Sequence, residues 1–471
     1  MNYETLDALI ESRRDEFLGD LERWLAIPSV QGEACPGAPF GEENLRMLNL
    51  ALETGRRYGF ETRNFDGYAG DISLPGGEKT LGILCHLDVV PAGEGWTVEP
   101  FALTQRDGNL CGRGVIDNKG PALAALYAMR CVREAGFALK DGVRLILGCD
   151  EETGMSDMAY YNAHTASPDY GFSPDAEYPV INIEKGGLDI LLSKQTGGEA
   201  DARIPVYALY AGERPNVVPG AAFAEVGTQQ VSVEELGVEL QRIAQQRGFD
   251  LRLEQAGQHR ARIVAQGLSA HASTPHLGKN AAGMLLIALS DLGAGGASRE
   301  AIKMLADTLG VSGQGKLLGI AAMDELSGAL TCNLGILRYD GATLSAQLDI
   351  RYPLCASEEK ICGQIAMKVS PAQIALTRLG GHAPHHVPAN HKVVRGLLKA
   401  YSDVTGHEGY AFAIGGGTYS RCMPNTVAFG PCFPGDVDTC HMPDEWFSLE
   451  NMMLSIRIMA HAIAELAGKA D

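Results

Sequence analysis

Residues 81–88 read Leu81-Gly82-Ile83-Leu84-Cys85-His86-Leu87-Asp88, and residues 143–152 read Val143-Arg144-Leu145-Ile146-Leu147-Gly148-Cys149-Asp150-Glu151-Glu152. Each is a short, almost continuously apolar run that stops on imidazole or carboxylate side chains. Between them, residues 119–135 are rich in Ala and Leu and read as a helix. Strand, helix, strand with unalternated apolar strands predicts an α/β domain with a mostly parallel sheet and helices on both faces. In such sheets ligands bind beyond the carboxyl ends of the strands, where these polar residues fall.

On the N-terminal side, Leu6, Leu9, Ile10, Phe17, Leu21, Trp24 and Leu25 recur at helical spacing until Pro28, and residues 42–57 form a second helical stretch. From about Gly186 the texture changes. Residues 188–194, 203–209, 261–265, 331–339 and 344–352 alternate as strands do, with a hairpin signal at Tyr339-Asp340-Gly341-Ala342. Helical stretches at 233–245, 280–292 and 357–368 separate them. From about Pro388 the α/β pattern resumes. The expected organisation is a discontinuous domain, residues 1–185 and 385–471, with an α+β domain inserted at 186–384. The insertion is long enough for two α+β units, one up to about Leu292 and one from about Ala301 to Gly380.

The 471 residues carry 39 Lys and Arg against 58 Asp and Glu, a formal charge of −19. That balance repels phosphate backbones and anionic lipid, so nucleic acid and membrane surfaces are poor partners. No apolar run approaches the ~20 residues of a membrane span, and residues 1–17 hold no signal-peptide apolar region. Eleven cysteines without paired spacing point to reduced thiols and a cytoplasmic protein.

Five segments concentrate the chemistry. His86 and Asp88, two apart in extended chain, share a face, so Asp88 is placed to accept the second ring N–H of a metal-bound His86. Asp117, in Gly112-Arg113-Gly114-Val115-Ile116-Asp117-Asn118, precedes a helix and is either its N-cap or a carboxylate bridging two metals. The three carboxylates Asp150, Glu151 and Glu152 repel one another at the end of a buried strand unless cations neutralise them. Asp175 and His441 lie in two further loop segments, 173–177 and 438–443. Histidines and carboxylates in this proportion suit two zinc ions, or manganese or cobalt, with a spare carboxylate to move a proton. The residues alone do not say whether Glu151 or Glu152 is that base.

The order His86-x-Asp88, Asp117, Glu151-Glu152, Asp175, His441 resembles the co-catalytic metallopeptidases that include carboxypeptidase G, acetylornithine deacetylase and carnosinase, and most of all their bacterial dipeptidase V branch. The resemblance covers essentially the whole chain. It implies that His86 and Asp175 bind one metal, Glu152 and His441 the other, and Asp117 bridges. It makes Glu151 the general base and Asp88 the group that orients His86. Asn118 departs from the pattern, since relatives often carry Asp there. In the insertion, which the resemblance makes a lid, His271 in Gly267-Leu268-Ser269-Ala270-His271-Ala272-Ser273 would stabilise the oxyanion. Asn216, Arg351 and Gly416 would hold the substrate, with Arg351 suited to a free carboxylate.

The expected activity is a metal-dependent dipeptidase acting on short peptides with a free amino terminus. An N-acyl amino acid deacylase of the same superfamily is the neighbouring reading, and a non-catalytic metal- or peptide-binding protein a third. The doubled insertion predicts a monomer, its second unit filling the place a partner's lid takes in shorter relatives. The cluster His382, His385, His386 and His391 reads as an exposed linker. Cys85 and Cys440 read as buried apolar thiols beside the ligands.

Overall fold

The computed structural model describes residues 2–197 and 202–469. It divides into one unit of Met1–Ile183, His386–Phe412 and Gly417–Asp471, and a second of Glu184–His385 and Ala413–Gly416.

In the first unit the chain forms α1 (Tyr3–Ser12), α2 (Arg14–Leu25), α3 (Glu42–Arg57), β1 (Glu61–Phe65), β2 (Ala69–Leu74), β3 (Thr80–His86), α4 (Lys119–Glu134), β4 (Gly142–Gly148), α5 (Ser156–His164), β5 (Tyr170–Ser173) and β6 (Val180–Glu184). Seven of the nine strands of its sheet run in the order β1-β2-β4-β3-β5-β15-β6, where β15 is Thr426–Ala428. The sheet is mixed. β4, β3, β5 and β15 are mutually parallel, while β1, β2 and β6 pair antiparallel at the flanks. β1 and β2 are joined by three residues, too few for the crossover that a parallel pair needs. Alternate residues of the central strands face opposite cores. Leu81, Ile83, Val143 and Leu145 pack in the larger one with α4, whereas Leu84 and Ile146 meet Met158, Tyr161 and Tyr419 on the other face. α4 is buried from Lys119 through Val132, which is why its sequence is apolar nearly all round.

The second unit contains β7 (Gly186–Gln195), β8 (Val206–Ala211), β9 (Ala221–Gly227), α6 (Val233–Arg247), β10 (Asp250–Gln255), β11 (Arg260–Gln266), α7 (Ala281–Asp291), α8 (Arg299–Thr308), β12 (Thr331–Tyr339), β13 (Thr343–Tyr352), α9 (Glu358–Val369) and β14 (Ala375–His382). Its strands form one antiparallel sheet in the order β10-β11-β9-β8-β12-β13-β7-β14. Inward residues alternate along it, as in Leu188, Ile190 and Leu192 or Ala261, Ile263 and Ala265, and share a single core with α6 to α9. The sheet is two groups of four strands joined edge to edge at β8 and β12, with Leu209 opposite Tyr339. A division of the sequence near Leu292 misplaces β7. This strand precedes the first group in the chain but pairs with β13 and β14, Gly186 lying opposite Tyr352 and Gly187 opposite His382.

The chain returns to the first unit through α10 (Lys392–Thr405), β15 and α11 (Leu449–Ala467). The histidine cluster spans the junction of the two units, as expected of a linker, but it is regularly paired rather than irregular. His382 ends β14, His385–His386 is a short strand, and His391 caps α10 by accepting the Val393 N–H at 3.3 Å. Pairing of the backbone, including the Val387 N–H to the Asn182 carbonyl, overrides the Pro-broken, polar look of this segment. Among the described residues no helix is long and apolar enough to cross a membrane.

Candidate metal centre

Because β4, β3, β5 and β15 are parallel, their carboxyl ends lie along one edge of the sheet. His86 is the last residue of β3, Glu151 and Glu152 follow β4, and Asp175 follows β5. β15 leads into the segment that carries His441, whose φ of 64° lies in the left-handed region. Asp117 arrives from the loop before α4. Its neighbour Asn118, not Asp117, is the N-cap residue of that helix.

Asp117 stands between the two imidazoles. Its Oδ1 is 2.9 Å from His86 Nε2 and its Oδ2 is 2.9 Å from His441 Nε2. His441 Nε2 also meets Glu152 at 3.0 Å, and His86 Nε2 lies 3.5 Å from Asp175 Oδ1. The groups His86, Glu151, Asp175 and His86, Asp117, Glu152 each bring one ligand atom per residue within 4.8 Å of the others. The Asn118 amide donates to Asp175 Oδ1 at 3.0 Å and to the Pro174 carbonyl at 2.7 Å, so an uncharged residue here steadies Asp175.

The electrostatics fit a cation site. Burial pushes Glu151 well above the usual carboxyl range, and the charges of Asp175, Glu152 and Asp117 add to it. Burial also raises Glu152 and Asp175. It would raise Asp117 too, but hydrogen bonds to His441 and His86 outweigh it and hold this carboxyl low. The same bonds to Asp117 and Glu152 push His441 up to about 10. Burial opposes a charge on His86, yet Asp175 and Asp117 keep it well above the ordinary histidine value. Three raised carboxyls and two raised imidazoles around an ionised Asp117 mark a pocket that attracts positive charge, and divalent cations compete with protons for these atoms. Imidazole and carboxylate donors suit zinc, manganese or cobalt.

Two local details differ from the sequence expectation. His86 Nδ1 bonds to the backbone carbonyl of Asp88 at 2.9 Å, with the Asp88 carboxylate at 3.4 Å. That carboxylate accepts instead the N–H groups of Glu151 and Glu152, at 3.3 and 3.0 Å. Asp150 does not join its neighbours in the cluster. It caps its own loop, accepting the Ser156 N–H and hydroxyl at 3.0 and 2.6 Å.

Sequence reasoning missed two buried carboxylates. Asp157 accepts the N–H groups of Cys149 and Asp150 at 2.6 and 2.9 Å and the Tyr419 hydroxyl, which fixes the chain just before Glu151. Glu445 pairs with the buried Arg113 at 2.6 Å. An Arg between two glycines beside a candidate ligand was the available signal, since a buried guanidinium needs a carboxylate. Cys85 is buried and apolar in its setting. Cys440 is only half-buried.

Asn216, His271, Arg351 and Gly416 all belong to the second unit. Asn333 holds the Asn216 turn by donating to the carbonyls of Pro215 and Val217 at 2.8 and 2.9 Å. Gly335 permits that approach, since a Cβ there would fall 2.2 Å from the Pro215 oxygen. The Ala272 N–H donates to the Asn216 carbonyl at 2.9 Å, which sets His271 beside this turn. A Cβ on Gly415 would lie 2.8 Å from Ser273 Cβ and 3.9 Å from Arg351 Cγ, so the glycine turn, His271-Ala272-Ser273 and Arg351 are neighbours. Arg351 already donates through Nε and Nη2 to Asp349, at 2.8 and 2.6 Å. The Nε–Nη2 fork of Arg351 is therefore engaged within its own strand.

Residues 82–465 match the model of Peptidase family M20/M25/M40. The chain is 37% identical over 462 residues to "Putative dipeptidase YtjP" of Bacillus subtilis (strain 168), covering 97% of this chain and 98% of that one. It is 36% identical to the Beta-Ala-Xaa dipeptidase of Lactobacillus delbrueckii subsp. lactis, covering 97% of each. The crystal structure of human carnosine dipeptidase 1 shares the fold with a TM-score of 0.59 at 15% identity, covering 99% of each chain. The chain belongs to Peptidase family M20/M25/M40.

Proposed function

We propose that the protein is a metal-dependent dipeptidase that cleaves short peptides with a free amino terminus at a two-cation centre. The observation that carries this reading is Asp117, whose two oxygens each face one imidazole at 2.9 Å, the arrangement of a bridging carboxylate. Relatives similar over their full length are named dipeptidases, one of them for Beta-Ala-Xaa substrates. In this reading His86 and Asp175 hold one cation and Glu152 and His441 the other; zinc is the expected ion, with manganese or cobalt as substitutes.

When bound, the cations polarise the peptide carbonyl and lower the pKa of a water. Glu151 takes the proton from the attacking water and returns it to the leaving amine. Burial and neighbouring carboxylates raise its carboxyl, and bound cations would offset that charge so that it is ionised and able to accept a proton. The choice of Glu151 rather than Glu152 is supported by His441, which engages Glu152 at 3.0 Å. Asp88 fixes both residues through their backbone N–H groups and His86 through its carbonyl. From the second unit, His271 would donate to the developing oxyanion, and Asn216, Arg351 and Gly416 would hold the peptide, Arg351 by its C-terminal carboxylate.

The joined four-strand groups of the second unit support a monomer, since one chain supplies both halves of the lid sheet. Eleven cysteines that form no disulfide suit the reducing cytoplasm. Turnover of a panel of dipeptides, tripeptides and N-acetyl amino acids tests the reading. Dipeptides should be the preferred substrates, and preference for acetyl amino acids would favour a deacylase instead.

A further inference from the structure

We propose that Glu445 is a positioning residue that ties together the two loops carrying Asp117 and His441; the proposal rests on the two-cation reading above. Glu445 lies four residues beyond His441 and is fully buried. Its Oε1 accepts the backbone N–H groups of Gly114 at 3.0 Å, Ile116 at 3.1 Å and Asp117 at 3.4 Å. Its Oε2 accepts Arg113 Nη1 at 2.6 Å, and its backbone carbonyl accepts the Gly112 N–H at 2.9 Å. One residue of the His441 loop thus receives donors from nearly every position of the segment that presents Asp117.

That segment has no secondary structure to shape it. Residues 112–118 lie outside any helix or strand, and their buried N–H groups need partners from elsewhere. The charge is matched as well. Arg113, 1% exposed, lies over the Trp96 ring at 5.2 Å, and its Nη2 donates to the carbonyls of Pro91 and Ala92 at 3.5 and 3.4 Å. The Glu445 carboxylate is the anion this cation requires. Asp444 secures the other side of the loop, accepting the Thr97 N–H and hydroxyl at 2.7 Å each.

Asp117 touches both imidazoles, so a small displacement of its backbone alters both cation positions at once. Partners one step behind metal ligands typically change affinity by about 10–100-fold when removed. Glu445 differs from the usual partner of this kind because it acts through the backbone of a ligand rather than through its side chain.

The test strips the full chain of metal and titrates it with zinc against a chromophoric chelator, for wild type, Glu445→Gln and Glu445→Asp. The kcat and KM of the reloaded proteins are measured alongside. Glu445→Gln keeps the shape but removes the charge that Arg113 pairs with, and Glu445→Asp keeps the charge but withdraws the oxygens from the three amides. Wild type should bind two ions, both variants should bind zinc at least about 10-fold more weakly, and kcat should fall with little change in KM. Wild-type affinity in a variant that keeps the wild-type circular dichroism overturns the proposal alone. Loss of fold in both variants also overturns it, because the residue is then structural. A wild-type chain that binds fewer than two ions overturns the proposal together with the reading beneath it.

Discussion

The two units carry their candidate residues in contrasting ways. In the first, side chains from the ends of parallel strands meet directly. His86, Asp117, Glu152 and His441 contact one another within about the distance of a hydrogen bond, and His86 is wholly buried. In the second, His271 is exposed, Asn216 and Arg351 are half-buried, and each is held by neighbours such as Ser273, Asn333 and Asp349. A parallel sheet gathers strand ends by topology, so the charge concentrated there follows from the fold itself. No such constraint concentrates charge on the antiparallel sheet. Substitutions of the candidate ligands in the first unit should therefore change cation content, and those of the candidate residues in the second should leave it intact and change turnover.

The largest expected effect is that of Asp117→Ala, which removes the one carboxylate shared by both imidazoles. Metal analysis should find fewer than two ions per chain, and dipeptide hydrolysis should collapse. A fully loaded Asp117→Ala protein would remove the basis for two bridged cations. Glu151→Ala should keep both ions and lose about 10²–10⁴-fold in kcat, the usual worth of a placed proton acceptor. If it loses metal and keeps most of its rate, the roles of Glu151 and Glu152 are exchanged.

His271→Ala sharpens the contrast from the other side. Removing one donor to a developing oxyanion costs about 10²–10³-fold in kcat, and here the ion content should be unchanged. Under the proposed monomer, in which each chain would supply its own His271, mixing this chain with the Glu151→Ala chain should restore nothing. Recovery of activity would mean that subunits share their sites.

The first unit was the more legible of the two. Apolar runs ending on His86 and on Asp150-Glu151-Glu152 place ligands at strand ends by a rule that holds for parallel sheets. Asn216 and Arg351 have no comparable signal in the residues and are candidates only through the family resemblance. What stayed hidden in both units depends on long-range pairing. Nothing near Glu445 in the chain reveals that Arg113, 332 residues away, needs it. The assignment of β7 likewise depends on β13 and β14, more than 140 residues downstream. The Asp150 carboxylate looked like a third member of the acidic cluster, but the chain turns just after it and its own loop consumes it.

The smallest predicted effect is in the second unit and away from its candidate residues. Burial raises Asp324, but hydrogen bonds from Ser327 and Cys355 outweigh this and lower it from 3.8 to about 2. A carboxyl depressed on folding contributes stability above its unfolded value and loses it as pH falls through the folded one. Asp324→Asn should flatten the acid-side decline in Tm between about pH 4 and pH 2, by about 2 °C or less for so solvated a group. Its ion content and turnover should match wild type. An unchanged acid-side slope would assign the decline to the carboxylates of the first unit.

The most direct test of the two-cation centre follows dipeptide hydrolysis while metal-free protein is titrated with zinc. Activity should be absent in the stripped chain, rise with added ion and level off at two ions per chain. Hydrolysis by the fully stripped protein, or a plateau at a single ion, would contradict the account.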